Sequence, residues 1–201
     1  MRTSLRKRVV AIGLASAILT GAEISTTALG SQNLAVDASV SGLSPAEAND
    51  MAAIATSDEW VAARLAAGAT RLVEVSDPGD GKTGVLVRFI DYSEMRPFAV
   101  IVDKSKRIVI ETVAEDSWPN YSPSEFRDAS VIALADLEVA QRSDGATLVV
   151  NNMTGATDRG ICVGRRCIAV FLTRPDGSYG HLIVAIVDLG KRDVVSFDQT
   201  D

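Results

Sequence analysis

The chain carries the same helix-starting motif twice. Residues 43–47 read Leu-Ser-Pro-Ala-Glu, and residues 121–125 read Tyr-Ser-Pro-Ser-Glu. In each copy, the serine side chain can accept hydrogen bonds from the free N–H groups of a first helical turn. Proline suits the first helical position, and the glutamate completes a capping box. The motif therefore predicts two helices, one starting after Ser44 and one after Ser122.

Later positions of the two copies match in the same order. The matches cover the helical face, a second cap and a late hairpin, and such ordered self-similarity is typical of a tandem duplication. The matched pairs are Asp50 with Asp128, Ile54 with Ile132, Asp58 with Asp136, Val61 with Val139, Asp103 with Asp188, and Arg107 with Arg192. We therefore predict two units, over residues 43–117 and 118–201.

Strand-like segments follow each predicted helix. They are rich in Val, Ile and Leu and are bounded by turn signals such as the Asp-Pro-Gly-Asp-Gly of residues 77–81. The pattern predicts an α+β fold in which each unit packs one helix on a four-stranded antiparallel sheet. The predicted strands cover residues 71–75, 85–90, 98–102 and 107–113 in the first unit, and 146–151, 160–172, 181–187 and 193–197 in the second.

The first 28 residues predict a secretory signal peptide. A basic head precedes an uncharged apolar run over residues 9–20, and small residues follow. The run is short for a bilayer span. Cleavage after Ala22 or after Ala28 fits equally, and retention of the segment as an anchor stays open. Residues 29–42 are rich in small and polar residues and predict a flexible leader, so we expect a secreted or extracytoplasmic protein.

The charge of the chain excludes some classes of partner. Lys and Arg number 20 against 26 Asp and Glu, and removal of the basic head leaves the rest more acidic still. Nucleic acids and anionic lipids need a basic surface, so neither is an expected partner, and membrane contact is expected only through the signal segment. A hydrophobic share of 47% is normal for a globular core.

Two cysteines, Cys162 and Cys167, flank the turn-like sequence Val-Gly-Arg-Arg. An even cysteine count in an exported chain predicts a disulfide, here closing a short loop. A redox pair would have the Cys-x-x-Cys spacing at a helix start, which this sequence lacks. The closed loop could instead present Arg165 and Arg166 to a partner, because a rigid loop loses little entropy on binding.

The two copies resemble a known family of domains. Ser-Pro-x-Glu, a helix closing on Asp and Val-Ala, and the final Val-Asp-Leu-Gly-Lys-Arg-x-Val-Val of residues 187–195 are similar to the non-catalytic N-terminal domains of copper amine oxidases. The resemblance covers residues 43–198 and implies two tandem cystatin-like units. The catalytic domain of that family has no counterpart here, since the chain has one His and Asn120-Tyr121 lies at the second capping box. No active residue or cofactor is therefore carried over.

Other motifs give weaker indications of chemistry. Residues 80–83 read Asp-Gly-Lys-Thr, like the end of a phosphate loop, but Ser76 stands where that motif needs glycine and a strand follows. Asp77 and Asp80 could bind Ca²⁺ weakly. His181, the single histidine, begins a strand and has no evident nucleophile or third ligand, so we predict neither a catalytic histidine nor a zinc site.

Two pairs of carboxylates could serve a glycosidase if a cleft lined with aromatic side chains brought them together. The pairs are Asp91 with Glu94, and Glu115 with Asp116. The available tryptophans are Trp60, which we place in the core, and Trp118, which we place as a plug between the units. Solvated turns explain the carboxylates more simply, and we favour that interpretation.

These observations predict an exported, non-enzymatic module that binds a protein or a cell-envelope component. They nominate no catalytic, cofactor or metal residue. Two alternatives stay open. One is a protease inhibitor that presents the disulfide-closed loop with Arg165 and Arg166. The other is a hydrolase with an unrecognised carboxylate site.

Overall fold

A computed structural model describes residues 37–79, 84–143, 146–156, 160–175 and 182–200. Within these ranges the chain forms four α-helices, a short 3₁₀ helix and two β-sheets. The α+β class is therefore confirmed. The predicted signal peptide, the phosphate-loop-like residues 80–83, and His181 lie outside the described residues.

Each half of the chain contains two consecutive helices where the sequence predicts one. The break follows from a second N-cap, because Asp58 accepts hydrogen bonds from the N–H groups of Trp60 and Val61. Asp136 caps its own helix in the same way. Both predicted capping boxes are present. The helices are α1 (Pro45–Thr56), α2 (Glu59–Ala66), α3 (Pro123–Ala135) and α4 (Leu137–Arg142).

The first sheet has five strands where the sequence predicts four. The additional strand, β1, runs parallel to β2 and lies in the segment expected to be a flexible leader. The remaining strands pair antiparallel in chain order, and they match the predicted segments to within a few residues. The strands are β1 (Ser39–Ser41), β2 (Thr70–Ser76), β3 (Val85–Asp91), β4 (Arg96–Asp103) and β5 (Ile108–Ala114).

The second sheet has four antiparallel strands in chain order. The predicted strand over residues 160–172 is wrong in its first part. There the chain forms the 3₁₀ helix Gly160–Cys162 and the disulfide-closed turn, and pairing begins only at Cys167. The strands are β6 (Val149–Gly155), β7 (Cys167–Thr173), β8 (Leu182–Asp188) and β9 (Asp193–Thr200).

Three hairpins share one turn design. An aspartate at the end of the first strand accepts hydrogen bonds from two backbone N–H groups of the turn. The residue that closes the turn adopts a left-handed backbone conformation. These self-contained turns connect β3 to β4, β4 to β5, and β8 to β9. The aspartates are Asp91, Asp103 and Asp188, and the left-handed residues are Met95, Arg107 and Arg192.

Each sheet buries one face against its helices. Small side chains on α1 and α3, such as Ala52 and Ala133, let the helix backbones approach strands rich in Val, Ile and Phe. The aromatic pair Phe89 and Phe98 stacks at 5.1 Å in the first core. Among the described helices, none is long and apolar enough to cross a membrane.

Candidate functional site

A cleft of about 680 Å³ opens at one end of the first sheet. Helix α2, the turn between β3 and β4, the end of β5 and the segment after it form its walls, and Gly164 of the disulfide-closed loop completes them. Both tryptophans of the chain, Trp60 and Trp118, line this cleft. We call it the tryptophan cleft.

Trp60 is the prominent aromatic side chain of the cleft. The sequence predicts a core position for it, and that prediction is wrong, because 44% of the residue is exposed. The second cap at Asp58 starts a new helix, and its inward position falls on Val61 instead. Trp60 is still held in place, since its ring meets Phe98 edge to face at 5.0 Å. The result is a fixed but accessible indole.

Arg64 lies across the Trp60 ring. Its guanidinium carbon is 4.2 Å from the ring centre, one helical turn along α2. The same guanidinium is 2.8 Å from Asp91 and 3.9 Å from Glu94, both in the turn that closes β3. The cleft thus holds a cation between an aromatic face and two carboxylates.

The electrostatics of Asp91 follow from this arrangement. Burial alone would raise its pKa. The Ser93 hydroxyl, the backbone N–H groups of Ser93 and Glu94, and the Arg64 guanidinium outweigh burial and lower the pKa of Asp91 below its ordinary value. Asp91 is therefore a fixed anion rather than a proton donor at neutral pH.

The segment after β5, which forms another wall of the cleft, is held to the first sheet by hydrogen bonds and ion pairs. Arg88 donates from Nε to Glu115 at 2.9 Å and also binds the buried Glu74. The Glu74 carboxylate in turn accepts the backbone N–H of Asn120 at 2.9 Å. These bonds fix the segment that carries Trp118.

The structure brings together both predicted carboxylate pairs. Asp91, Glu94, Glu115 and Asp116 all line the tryptophan cleft. Arg64 and Arg96 are the basic side chains in its lining, so the carboxylates outnumber them. The cleft is therefore acidic as well as aromatic.

The predicted disulfide between Cys162 and Cys167 is present, with Cα atoms 5.9 Å apart. The loop does not present Arg166, however, because only 1% of that side chain is exposed. Its guanidinium binds the two Glu125 oxygens at 2.8 and 3.0 Å and donates to the carbonyls of Pro119 and Asn120. Arg165 is half-buried and reaches Asp188 at 3.3 Å.

Glu125 is a buried centre of contacts whose role beyond helix capping the sequence does not reveal. Besides capping α3, it binds Arg166 and accepts a hydrogen bond from the Tyr92 hydroxyl at 2.7 Å. Tyr92 belongs to the N-terminal half, and burial followed by the charge of Glu125 raises its pKa. The Tyr121 ring covers the Arg166 guanidinium at 3.8 Å. The sequence predicts the capping box that contains Glu125, but it does not predict that Glu125 is buried.

In the described ranges, no group of three or more His, Cys, Asp or Glu side chains is arranged to hold a metal ion. Asp77 is described, and its carboxylate accepts the backbone N–H of Gly79. Its predicted partner Asp80 lies outside the described residues. Comparison with known proteins adds no relative, since no family model matches the chain and no curated protein does either.

Proposed function

We propose that this protein is an exported, non-enzymatic module that binds its partner through the tryptophan cleft. The observation that carries the proposal is Trp60, a large aromatic side chain held in place beside a cleft and yet 44% exposed. Exposed, immobilised aromatic side chains are the residue type that contributes most to binding interfaces. The convergence of charged groups around it adds the directionality that specific recognition needs.

Binding fits the chemistry of the cleft better than hydrolysis. A glycosidase needs one carboxylic acid with a raised pKa beside a second carboxylate. Asp91 has a lowered pKa and is bound by Arg64, and Glu115 is bound by Arg88. Charges engaged in this way suit recognition of a partner.

The proposed architecture is a tandem duplication of cystatin-like units, as the resemblance to the copper amine oxidase domains implies. Matching contacts support it. Arg107 binds Asp50 in the first half, and Arg192 binds Asp128 at 3.3 Å in the second. The alignment of the two copies already pairs Asp50 with Asp128 and Arg107 with Arg192, without reference to these contacts. Both halves also run helix, helix and then four antiparallel strands.

Export is supported by two features of different kinds. The first 28 residues have the layout of a signal peptide. The described structure contains a disulfide, which persists in oxidising compartments outside the cytosol. We propose a secreted or extracytoplasmic location on this basis.

The inhibitor alternative gains no support from the loop. A protease would need an arginine side chain that can enter its specificity pocket. Arg166 would have to leave Glu125 and two carbonyl groups first, and Arg165 would have to leave Asp188.

Capture of the partner tests the proposal. The purified protein is immobilised and exposed to envelope and culture fractions of its source, and the bound material is compared between wild type and Trp60→Ala. We expect Trp60→Ala to lose a component that wild type retains. The matched control is Leu137→Ala, which removes an exposed apolar side chain of α4. Equal retention by Trp60→Ala and wild type would overturn the proposal.

A further inference from the structure

We propose that the tryptophan cleft binds an extended, basic peptide segment, which adds as a strand to the edge of β5 and places a Lys or Arg side chain beside Trp60. This inference rests on the proposed function, whose site it specifies further. It depends on three observations: the open edge of β5, the direction of its outer hydrogen-bonding groups, and the charge of the cleft.

The edge of β5 is the first observation. Within the described residues, β5 pairs with β4 on one side and with no strand on the other. Natural sheet edges are usually protected by short strands, charges or proline. The opposite edge of this sheet is the three-residue strand β1, whereas β5 has seven residues, no proline and one charge. Its Ile108 and Ile110 side chains are about half exposed.

The hydrogen-bond register of β5 is the second observation. The N–H of Glu115 donates to the carbonyl of Pro97 at 3.2 Å, so this pair is hydrogen-bonded. Bonded and non-bonded pairs alternate in an antiparallel ladder, and a residue of a non-bonded pair directs its N–H and C=O away from its partner. Thr112 and Ala114 therefore direct these groups outward.

The outward-facing residues are also the β5 residues that line the cleft. Thr112 and Ala114 both belong to its lining, on the same sheet face as Phe98. An added strand would pair with these two residues through its backbone. Side chains of an added strand alternate between faces, so every second one would lie on the face that carries Trp60.

The charge of the cleft is the third observation, and it selects a basic side chain. Arg64 already shows how the cleft holds a guanidinium, between the Trp60 ring and the carboxylates of Asp91 and Glu94. Glu94 and Asp116 are exposed, and Asp116 forms no ion pair among the described residues. A ligand cation on this side of the cleft would meet the exposed carboxylates of Glu94 and Asp116.

A glycan fits these surroundings less well. Sugar rings stack on an open aromatic face, and Arg64 covers one face of Trp60 while Phe98 contacts the ring as well. A sugar would also leave the outward N–H and C=O groups of β5 without the paired partners that a peptide backbone supplies.

Synthetic peptides test the inference. The probe is a short peptide in which lysine alternates with valine, and its binding is followed by the emission of the two tryptophans, both of which line the cleft. We expect saturable binding and an emission shift. The same peptide with glutamate for lysine should bind at least about tenfold more weakly. N-methylation of alternate residues should abolish binding, because it removes main-chain donors.

Two variants of the protein separate the contributions of backbone and charge. Thr112→Pro removes an outward donor and leaves the bonds between β4 and β5 intact, so we expect about tenfold weaker binding with an unchanged circular dichroism spectrum. Thr112→Ala is its control. Glu94→Gln with Asp116→Asn should weaken binding of the lysine peptide, whereas Glu138→Gln, an exposed charge on α4, should leave it unchanged.

The outcomes distinguish this inference from the proposed function. If Trp60→Ala loses the natural partner but neither peptide binds, the peptide inference is wrong and the cleft remains the binding site. Binding of an oligosaccharide instead of the peptides would likewise overturn it. Peptide binding that Thr112→Pro leaves unchanged would exclude strand addition. Lysine and glutamate peptides of equal affinity would exclude selection by charge.

Discussion

At the scale of single residues, the two capping glutamates show how one motif serves two purposes. Glu47 lies at the surface, where Lys104 approaches to 2.7 Å and, with the Ser44 hydroxyl, lowers the pKa of Glu47 to about 2. Glu125 makes the same capping bonds but is 1% exposed and binds Arg166. The second glutamate is therefore part of a buried ion pair as well as a cap.

Arg166→Met should destabilise the protein strongly. The substitution leaves the buried Glu125 charge without its main partner, and breaking a buried pair from one side costs about 3–5 kcal/mol. The free energy of unfolding in urea measures the loss. Arg127→Met, which removes an exposed pair with Asp37, should cost no more than about 1 kcal/mol.

A companion variant checks the cause. In Glu125→Gln with Arg166→Met, neither charge remains buried, so the double variant should be more stable than the sum of the single losses implies. Additive losses from the two single substitutions would show that the ion pair is not the source of the effect.

At the scale of elements, the disulfide-closed loop connects β6 to β7 and contributes Gly164 to the cleft. Cys162 and Cys167 are both fully buried, and Cys167 opens the β7 ladder. The loop is anchored at one end by the sheet and at Arg166 by Glu125. The disulfide thus restrains a short segment that the β7 ladder and the Arg166–Glu125 ion pair already hold in place.

Cys162→Ala with Cys167→Ala should lower the free energy of unfolding by roughly 2 kcal/mol, because closing so short a loop restricts the unfolded chain only modestly. Thermal unfolding with and without reductant measures this effect. The reductant should lower the wild-type midpoint toward that of the double variant and leave the double variant unchanged. A reductant effect on the variant would contradict this explanation.

At the scale of the whole molecule, the two halves form separate sheets in the part of the chain that the structure describes, and side-chain contacts join them. Arg71 of β2 binds Asp128 of α3, and the Tyr92 hydroxyl binds Glu125. Gly190 also meets the β3–β4 turn closely, since a Cβ there would lie 2.5 Å from the Met95 Sδ. The junction therefore depends on charge and on close approach of turns.

The junction should weaken in acid. Burial alone would raise the pKa of Asp128, but Arg71 and then Arg192 lower it below its ordinary value. A carboxylate whose pKa is lowered by folding adds stability above its unfolded pKa of about 4 and loses it as the pH falls through the folded value. Stability from Asp128 should therefore be complete at neutral pH and disappear in strong acid.

The difference in unfolding midpoint between wild type and Asp128→Asn, measured as a function of pH, tests this. It should be largest at neutral pH and shrink below pH about 4. Asp50→Asn, which removes the matched pair inside the N-terminal half, is the control and should have a smaller effect because Arg107 is more exposed. A difference that grows in acid would contradict the assignment.

Features set by neighbours along the chain could be predicted from the sequence. Ser44 and Ser122 cap helices because their partners lie three residues away. The antiparallel strands follow local alternation and turn chemistry, and the Cys162–Cys167 bond closes a loop of nearby residues. The candidate carboxylates of the cleft were also visible as residues, since each lies in a polar turn.

Only the tertiary structure decided where these residues meet and which of them are buried. The first capping motif stays at the surface and the second is enclosed, although they read almost alike. Tyr92 and Arg166 reach Glu125 from 33 and 41 residues away, and no local pattern encodes such contacts. The tryptophan cleft and the open edge of β5 arise in the same way. Burial depends on which distant segments pack together, whereas capping and turn bonds depend on the adjacent residues.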